Sequence, residues 1–441
     1  MGLLSTASIA MCLSAAALAH AQSAAVTHDD DAAAAAIQCA SNPSGPLTPS
    51  RQRQTCSLPF DARRTSPSSV WPRWTHRPVC SSSSSSSSSS AKTKPQLCAF
   101  VKTDFRGESG LLVLTTPEVA AGDGSMVEDF DTNWVYTGPP AATPDTPDTP
   151  AAPPYEVKEI PGKGLGVVAN AAIRAGEVVM REYPRILQTA SADVLEGLER
   201  GEVMWVLEEG FVRLPREDQA RIFDLARSTG GHPVEDVIRT NTFGVTFNNV
   251  THHGLFPGIA RINHACKPNA VTRFSQTTLA LDVVAYRNIA PGEELSISYS
   301  PLNMLSHDRQ RALREWGFNC TCALCSSPAP VLAASDARRG RVQQLLALLE
   351  QPLYRSSATL VADAAAEMER IIGDEGLEAQ RGDFYGIVAR VFAAAGDAAK
   401  GGEYAARAVE QLAHFAGFDD ERTASARRLL GELGKTRRRM G

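Results

Sequence analysis

Arg261-Ile262-Asn263-His264-Ala265-Cys266-Lys267-Pro268-Asn269, followed fifty residues later by Trp316-Gly317-Phe318-Asn319-Cys320-Thr321-Cys322-Ala323-Leu324-Cys325, decides the reading of this chain. The three thiols of the C-x-C-x-x-C run crowd onto one tight turn and can converge on a point. A closed structural zinc site takes four ligands, at about 2.3 Å for sulfur. One ligand is therefore missing locally, and the only other cysteine in the foldable middle of the chain is Cys266. The plainer alternatives are three free or buried cysteines, or a disulfide plus a spare thiol. Neighbouring C-x-C cysteines seldom bond to each other, and so dense a motif favours metal. His264, a lone histidine beside a cysteine, reads as a structural residue outside the metal shell.

Outward from this core, residues 155–325 have the composition of a packed domain. Val157, Ile160, Val167, Val168, Ile173 and Val178-Val179-Met180 alternate with glycine and charge, which predicts short twisted strands. Between Ser191 and Arg239 the spacing of Val203, Val206, Leu207, Ile222 and Leu225 turns helical. Strands are predicted again at Thr242–Phe247, Ala270–Phe274, Leu279–Tyr286 and Leu295–Tyr299. Beyond Pro330 the chain is rich in Ala, Leu and Arg, with helical periodicity over 331–434. The fold class is α+β: strands, a helical insert, strands, then an all-α tail.

These motifs resemble the SET-domain protein lysine methyltransferases. Asn263-His264-x-Cys266-x-Pro268-Asn269 is similar to that family's signature, and Cys320, Cys322 and Cys325 to its post-SET cysteines. In the family the four thiols bind one zinc ion, which agrees with the ligand count above. Leu295-Ser296-Ile297-Ser298-Tyr299 resembles the strand that ends in the catalytic tyrosine, and Pro161-Gly162-Lys163-Gly164-Leu165-Gly166 the entry loop that touches S-adenosylmethionine. The nearest likeness is to SET- and MYND-domain proteins. No Cys/His-rich finger lies inside 191–240, so fungal-type SET proteins without the finger are the better comparison.

The resemblance implies methyl transfer from S-adenosylmethionine to a lysine amine of a histone or non-histone protein. The cofactor contacts it implies are Gly162, Lys163, Gly164 and Asn241, with Asn263 and His264 toward the adenine and Phe318 stacked near it. Gly162-Lys163-Gly164 also fits an ordinary β-turn, and Phe318 a packing residue beside the metal. Tyr299 shares a strand face with Leu295 and Ile297 and takes the catalytic role. Trp316 stands where such relatives often carry a second tyrosine; an indole can wall a channel but lacks the phenol hydroxyl. That departure motivates a competing reading, a SET scaffold that has lost catalysis and recruits partners.

The flanks are less informative. Residues 1–21 end in Ala19-His20-Ala21, an A-x-A signal-peptidase pattern without a basic n-region. Gly2 and Thr6 fit a myristoylation pattern, and an Ala-rich tail is the third reading. Residues 22–96, with serines throughout 81–90, read as a disordered leader; 97–137 as a small β segment; 138–154 as a Pro/Thr-rich linker. Tyr385, Ala389, Phe392, Tyr404, Ala408 and Leu412 look like one tetratricopeptide-type helical pair, with further helices expected at about 335–350 and 357–372.

The chain has 441 residues, 44 Lys plus Arg against 49 Asp plus Glu, and a net charge of −5. That balance argues against a nucleic-acid binder working through a chain-wide basic surface. No membrane span is expected in the body of the chain. The expected molecule is a monomer acting on a protein substrate, without sequence-specific nucleic-acid binding. A thiolate zinc site and an intracellular cofactor favour the nucleus or cytoplasm over secretion.

Overall fold

A computed structural model describes residues 73–81, 96–122 except 108, 127, and 153–440 except 197, together with two short strands, Cys39–Ser41 and Gln54–Cys56. The readings of residues 1–21 lie outside the described residues. The central element is a six-stranded sheet in the order Thr242–Phe247, Val250–Leu255, Ile186–Thr189, Ser109–Thr115, Cys98–Phe105, Val79–Cys80. All neighbours are antiparallel except Ser109–Thr115 and Ile186–Thr189, which run parallel with Val113 opposite Leu187.

Residues 98–115 of the small β segment read at 97–137 supply two strands of this sheet. The hairpin Cys98–Phe105/Ser109–Thr115 lies in the middle of the sheet, and every residue of its second strand is buried. Its alternation feeds two cores. Phe100, Leu111 and Val113 pack with Phe247, Phe256, Leu281 and Leu295 on one side. Ala99, Val101, Leu112 and Leu114 pack on the other with Val206, Leu207, Phe211 and Val237 from the insert. Gly210 permits this closeness, because a Cβ there would meet Leu112 Cδ1 at 2.5 Å and Ala99 Cβ at 2.9 Å. Ordered structure also begins earlier than expected: Trp74 and Cys80 are buried in the first core, and Cys80 forms a disulfide with Cys98 across the outermost strand pair. Both sulfurs' residues are essentially inaccessible, so solvent reductants reach the bond only when this edge opens.

Smaller sheets flank it, among them the hairpin Tyr155–Ile160/Gly164–Ala169 and the set Ala270–Phe274, Leu281–Ala285, Val178–Glu182. A parallel pair of only two rungs joins Asn263–His264 to Ser296–Ile297. The insert contains the helices Arg200–Phe211, Arg216–Phe223 and Pro233–Asn241. The tail is helical, with Ala329–Leu349, Ala358–Glu375, Arg381–Ala394, Ala398–Phe415 and Glu421–Met440 as its long helices. The expected helical pair at 382–415 forms a hairpin in which Phe392 stacks on Tyr404 at 5.4 Å.

One buried ion pair ties the insert to the sheet. Arg185 Nε donates to Asp218 Oδ1 at 2.8 Å, and Gly110 N donates to Asp218 Oδ2 at 2.7 Å. Removing the carboxylate strands a buried guanidinium and a buried N–H. Asp218→Ala is expected to cost about 3–5 kcal/mol in urea-denaturation measurements, whereas Glu209→Ala, which removes the part-exposed pair with Arg213 on the same insert, is expected to cost about 1 kcal/mol or less.

Candidate functional site

The site forms where the two-rung parallel pair brings distant segments side by side. Asn263 faces Ser296 and His264 faces Ile297. The strand is shorter than the predicted Leu295–Tyr299, because the chain beyond Ile297 leaves the ladder and bonds to a side chain instead. Tyr299 N donates to His264 Nδ1 at 3.0 Å, and the Tyr299 hydroxyl donates to the Ile262 carbonyl at 2.8 Å. Burial, and after it the Glu294 charge, push the Tyr299 phenol above its ordinary range, so it keeps its proton at neutral pH.

His264 connects this phenol to the cysteines. Its imidazole is held down to about 4, mainly by burial; the Cys322 charge opposes that shift, and the Arg309 and Lys163 charges add to it. The ring is therefore neutral near pH 7. Because Nδ1 accepts from a backbone N–H, the ring proton is assigned to Nε2, which lies 3.3 Å from Cys266 Sγ.

Cys266, Cys320, Cys322 and Cys325 bring their sulfurs within 4.8 Å of one another. Cys266 Sγ is 3.9 Å from Cys320 Sγ and 3.5 Å from Cys325 Sγ. Four sulfurs at zinc's bond length on a tetrahedron stand about 3.8 Å apart, so the set fits one ion. Backbone N–H groups of Cys266 and Cys322 point at Cys322 Sγ and Cys320 Sγ, each at 3.5 Å. Hydrogen bonds among the sulfurs hold the Cys266 thiol up and the Cys322 thiol down, as expected of crowded thiols sharing too few protons. Gln310 fixes the turn by donating to the Cys320 carbonyl at 2.8 Å and accepting from its N–H at 3.0 Å.

Around them stand aromatic walls. The Tyr299 ring lies 5.4 Å from His264, 6.1 Å from Trp316 and 6.4 Å from Phe318, and Phe318 is 6.4 Å from His264. The glycine turn reaches the same place: Lys163 Nζ pairs with Glu294 Oε2 at 2.6 Å, while Asn263 Nδ2 donates to Glu294 Oε1 at 3.0 Å. Gly162 and Gly164 have φ of +76° and +73°, with open space where a Cβ would stand. Asn241 meets the cluster indirectly. Its amide nitrogen is committed to the Ala226 and Val237 carbonyls at 2.7 and 2.8 Å, and a Cβ at Gly317 would stand 3.2 Å from Ser228 Cβ in the same 226–228 segment.

Sequence reading missed Glu294, Gln310 and Glu182. Glu182, whose carboxyl is raised by burial, accepts from Gly258 N and Ile259 N at 2.9 Å and holds the turn that leads to Ile262. Pro291-Gly292-Glu293-Glu294 signals only a turn, and nothing local says which segments its acids will meet.

Residues 164–300 match the SET domain family. Among curated relatives, the chain is 30% identical over 190 residues to the histone-lysine N-methyltransferase set5 of Schizosaccharomyces pombe, covering 42% of this chain and 54% of that protein. It is 40% identical over 87 residues to the mouse protein-lysine N-trimethyltransferase SMYD5, 19% of this chain and 21% of the relative. It is 35% identical over 102 residues to the human histone-lysine N-methyltransferase SMYD3, 22% and 23% of the two chains. The chain thus spans about half the length of the yeast relative and less of the others. The resemblance expected from the motifs is met over that stretch: residues 164–300 match the SET domain, and the curated relatives carry the names of lysine methyltransferases.

The thiol cluster yields a direct expectation. The purified full-length chain should carry about one zinc per molecule by elemental analysis, and Cys322→Ser should lower both zinc content and melting temperature.

Proposed function

With a SET domain at residues 164–300 as the premise, we propose that this chain is an S-adenosylmethionine-dependent protein-lysine N-methyltransferase acting on a histone or non-histone protein. The carrying observation is the Tyr299 phenol, oriented by the Ile262 carbonyl and His264 and walled by Trp316 and Phe318. The names of the curated relatives support protein-lysine methylation and favour action in the nucleus or cytoplasm.

The residues proposed to hold the cofactor are Gly162, Lys163, Gly164, Asn241, Asn263, His264 and Phe318. The open positive-φ turn and the aromatic at Phe318 fit such a ligand. S-adenosylmethionine supplies, when bound, an electrophilic methyl on a sulfonium sulfur. The four cysteines hold one structural zinc ion in this reading and leave no open coordination position.

Lysine has an ordinary pKa of about 10.4, so its ammonium must shed a proton before it can attack. The rings of Tyr299, Trp316 and Phe318 provide the poorly solvated wall that favours the neutral amine. The Tyr299 hydroxyl spends its proton on Ile262, which leaves its oxygen lone pairs to accept from the amine and to stabilise developing positive charge. Trp316 restricts the wall but offers no second phenol. The scaffold alternative is not favoured, since Tyr299 and its supporting partners are all in place.

Methyl transfer to a panel of histones and translation proteins is expected. Tyr299→Phe should lower kcat/KM by roughly 100- to 1,000-fold, as loss of a preorganised electrostatic group does, and leave cofactor affinity by calorimetry unchanged. A wild-type chain that does not bind the cofactor overturns the enzyme reading.

A further inference from the structure

The helical tail grips the metal-ligand segment through charged groups that catalysis does not use. Arg339, on the helix Ala329–Leu349, is fully buried, and its Nη2 donates to the Cys266 carbonyl at 3.0 Å. The same guanidinium donates through Nη1 to the Leu302 carbonyl and through Nε to Glu375 Oε2, the latter at 3.0 Å. Glu375 ends the next tail helix, is itself fully buried, and also accepts from Arg338 Nε at 2.7 Å and Ser335 Oγ at 2.6 Å. Lys267, the residue after Cys266, donates to the Asp374 carbonyl at 2.5 Å, and its Cβ packs 3.8 Å from where a Cβ on Gly376 would stand. The Cys266 carbonyl and the Lys267 side chain are therefore both held by the tail.

The charge pattern points the same way. Arg309 and Arg339 are both at or below 1% exposure, and the Arg309 charge acts on both Arg339 and His264. Arg309 Nε and Nη2 are buried without a hydrogen-bond partner. Among the described residues of this region, the one fully buried carboxylate is Glu375. Arg309 has Asp336 at 3.9 Å, whereas Glu375 alone faces Arg338, Arg339 and Lys267 at 2.6, 3.0 and 4.0 Å, which leaves positive charge in excess beside Cys266. A divalent ion held by four thiolates is a dianion, and it has the sign that this excess complements.

We propose that Arg339 is the positioning residue by which the helical tail holds the metal ligand Cys266, so that metal retention and docking of the tail stabilise each other. The inference rests on the metal reading of the four cysteines, and thermodynamic linkage makes the coupling reciprocal. Arg339 touches neither the ion nor the reacting atoms. It fixes the carbonyl of a ligand residue, and partners in that outer layer commonly change metal affinity by about 10- to 100-fold.

Arg341 supplies a matched control. It bridges the same two tail helices through a two-armed pair with Glu367, both arms at 2.9 Å and partly exposed. The full-length chain is compared with Arg339→Met, Arg339→Lys and Arg341→Met. Zinc content is measured first, then the rate of zinc loss to excess chelator, followed with a chromogenic indicator. Arg339→Met is expected to lose zinc about 10- to 100-fold faster, Arg339→Lys to recover part of that difference, and Arg341→Met to match wild type. Cobalt substitution adds a readout that stability alone does not move, a shifted thiolate-to-cobalt charge-transfer band in Arg339→Met at a temperature where its circular dichroism is native. In the reverse direction, chelation of the wild type should speed tryptic cleavage within 329–375. A wild type without zinc overturns the metal reading beneath the proposal. A loaded wild type with Arg339→Met as slow as Arg341→Met overturns the proposal itself. Should Arg339→Met fail to fold, Arg339→Lys carries the same comparison.

Discussion

The neutral imidazole of His264 is the constraint on which the site depends. One ring nitrogen accepts the Tyr299 backbone N–H, and the other faces the Cys266 sulfur. A charged ring would have to donate at Nδ1 and would lose the Tyr299 bond. Burial prevents this by penalising the imidazolium. Tyr299, whose hydroxyl reaches back to Ile262, is thus fixed at both its backbone and its phenol by residues of one short segment, 262–264. The thiol cluster anchors the far end of that segment at Cys266. Thiol cluster and phenol share a single backbone support, so disturbance at one reaches the other within four residues.

This explains which features could be read from the sequence. Thr242–Phe247 and Ala270–Phe274 were predicted to the residue because each is a local alternation bounded by turns. The four thiols were legible because three of them share one turn. Ser296–Ile297 was overpredicted because its neighbour offers only two rungs, a property of the partner segment that no local pattern records. Glu294 was invisible for a related reason. Its value lies in Lys163, 131 residues away, and Asn263, 31 residues away, which meet it only after folding.

The leader shows the opposite failure, where composition obscured real order. Proline and the serine run around Trp74 and Cys80 suggest an unfoldable stretch, yet both side chains are buried against Phe100 and its neighbours. The second strand of the hairpin that follows is buried along its whole length, and its pairing with Ile186–Thr189 is parallel. Parallel pairing requires a long crossover, so the two strands stand far apart in sequence. The Cys80–Cys98 bond also weighs against assigning every cysteine outside the four-thiol cluster to unstructured chain.

The tail completes the argument about support. Beside apolar contacts such as Tyr286 on Phe415, its contacts with the β portion include directional ones: Arg273 donates to the His414 carbonyl at 2.6 Å, Ser275 Oγ and Thr277 N donate to Asp419, and Arg339 donates to Cys266. Apolar burial is non-directional and tolerates sliding, whereas buried charged groups cost heavily if mispaired. An interface built on Arg273, Asp419 and Arg339 therefore specifies one orientation of the helices over the strands. Arg273 is itself held by the fully buried Asp282, which Arg181 also engages at 2.7 Å, so this anchor is braced from within the sheet. The tail consequently belongs to the same mechanical unit as the cysteine knot. Cys266 is where the two meet, and the 262–266 segment that carries Tyr299's partners is held from the thiol cluster and from the tail at once.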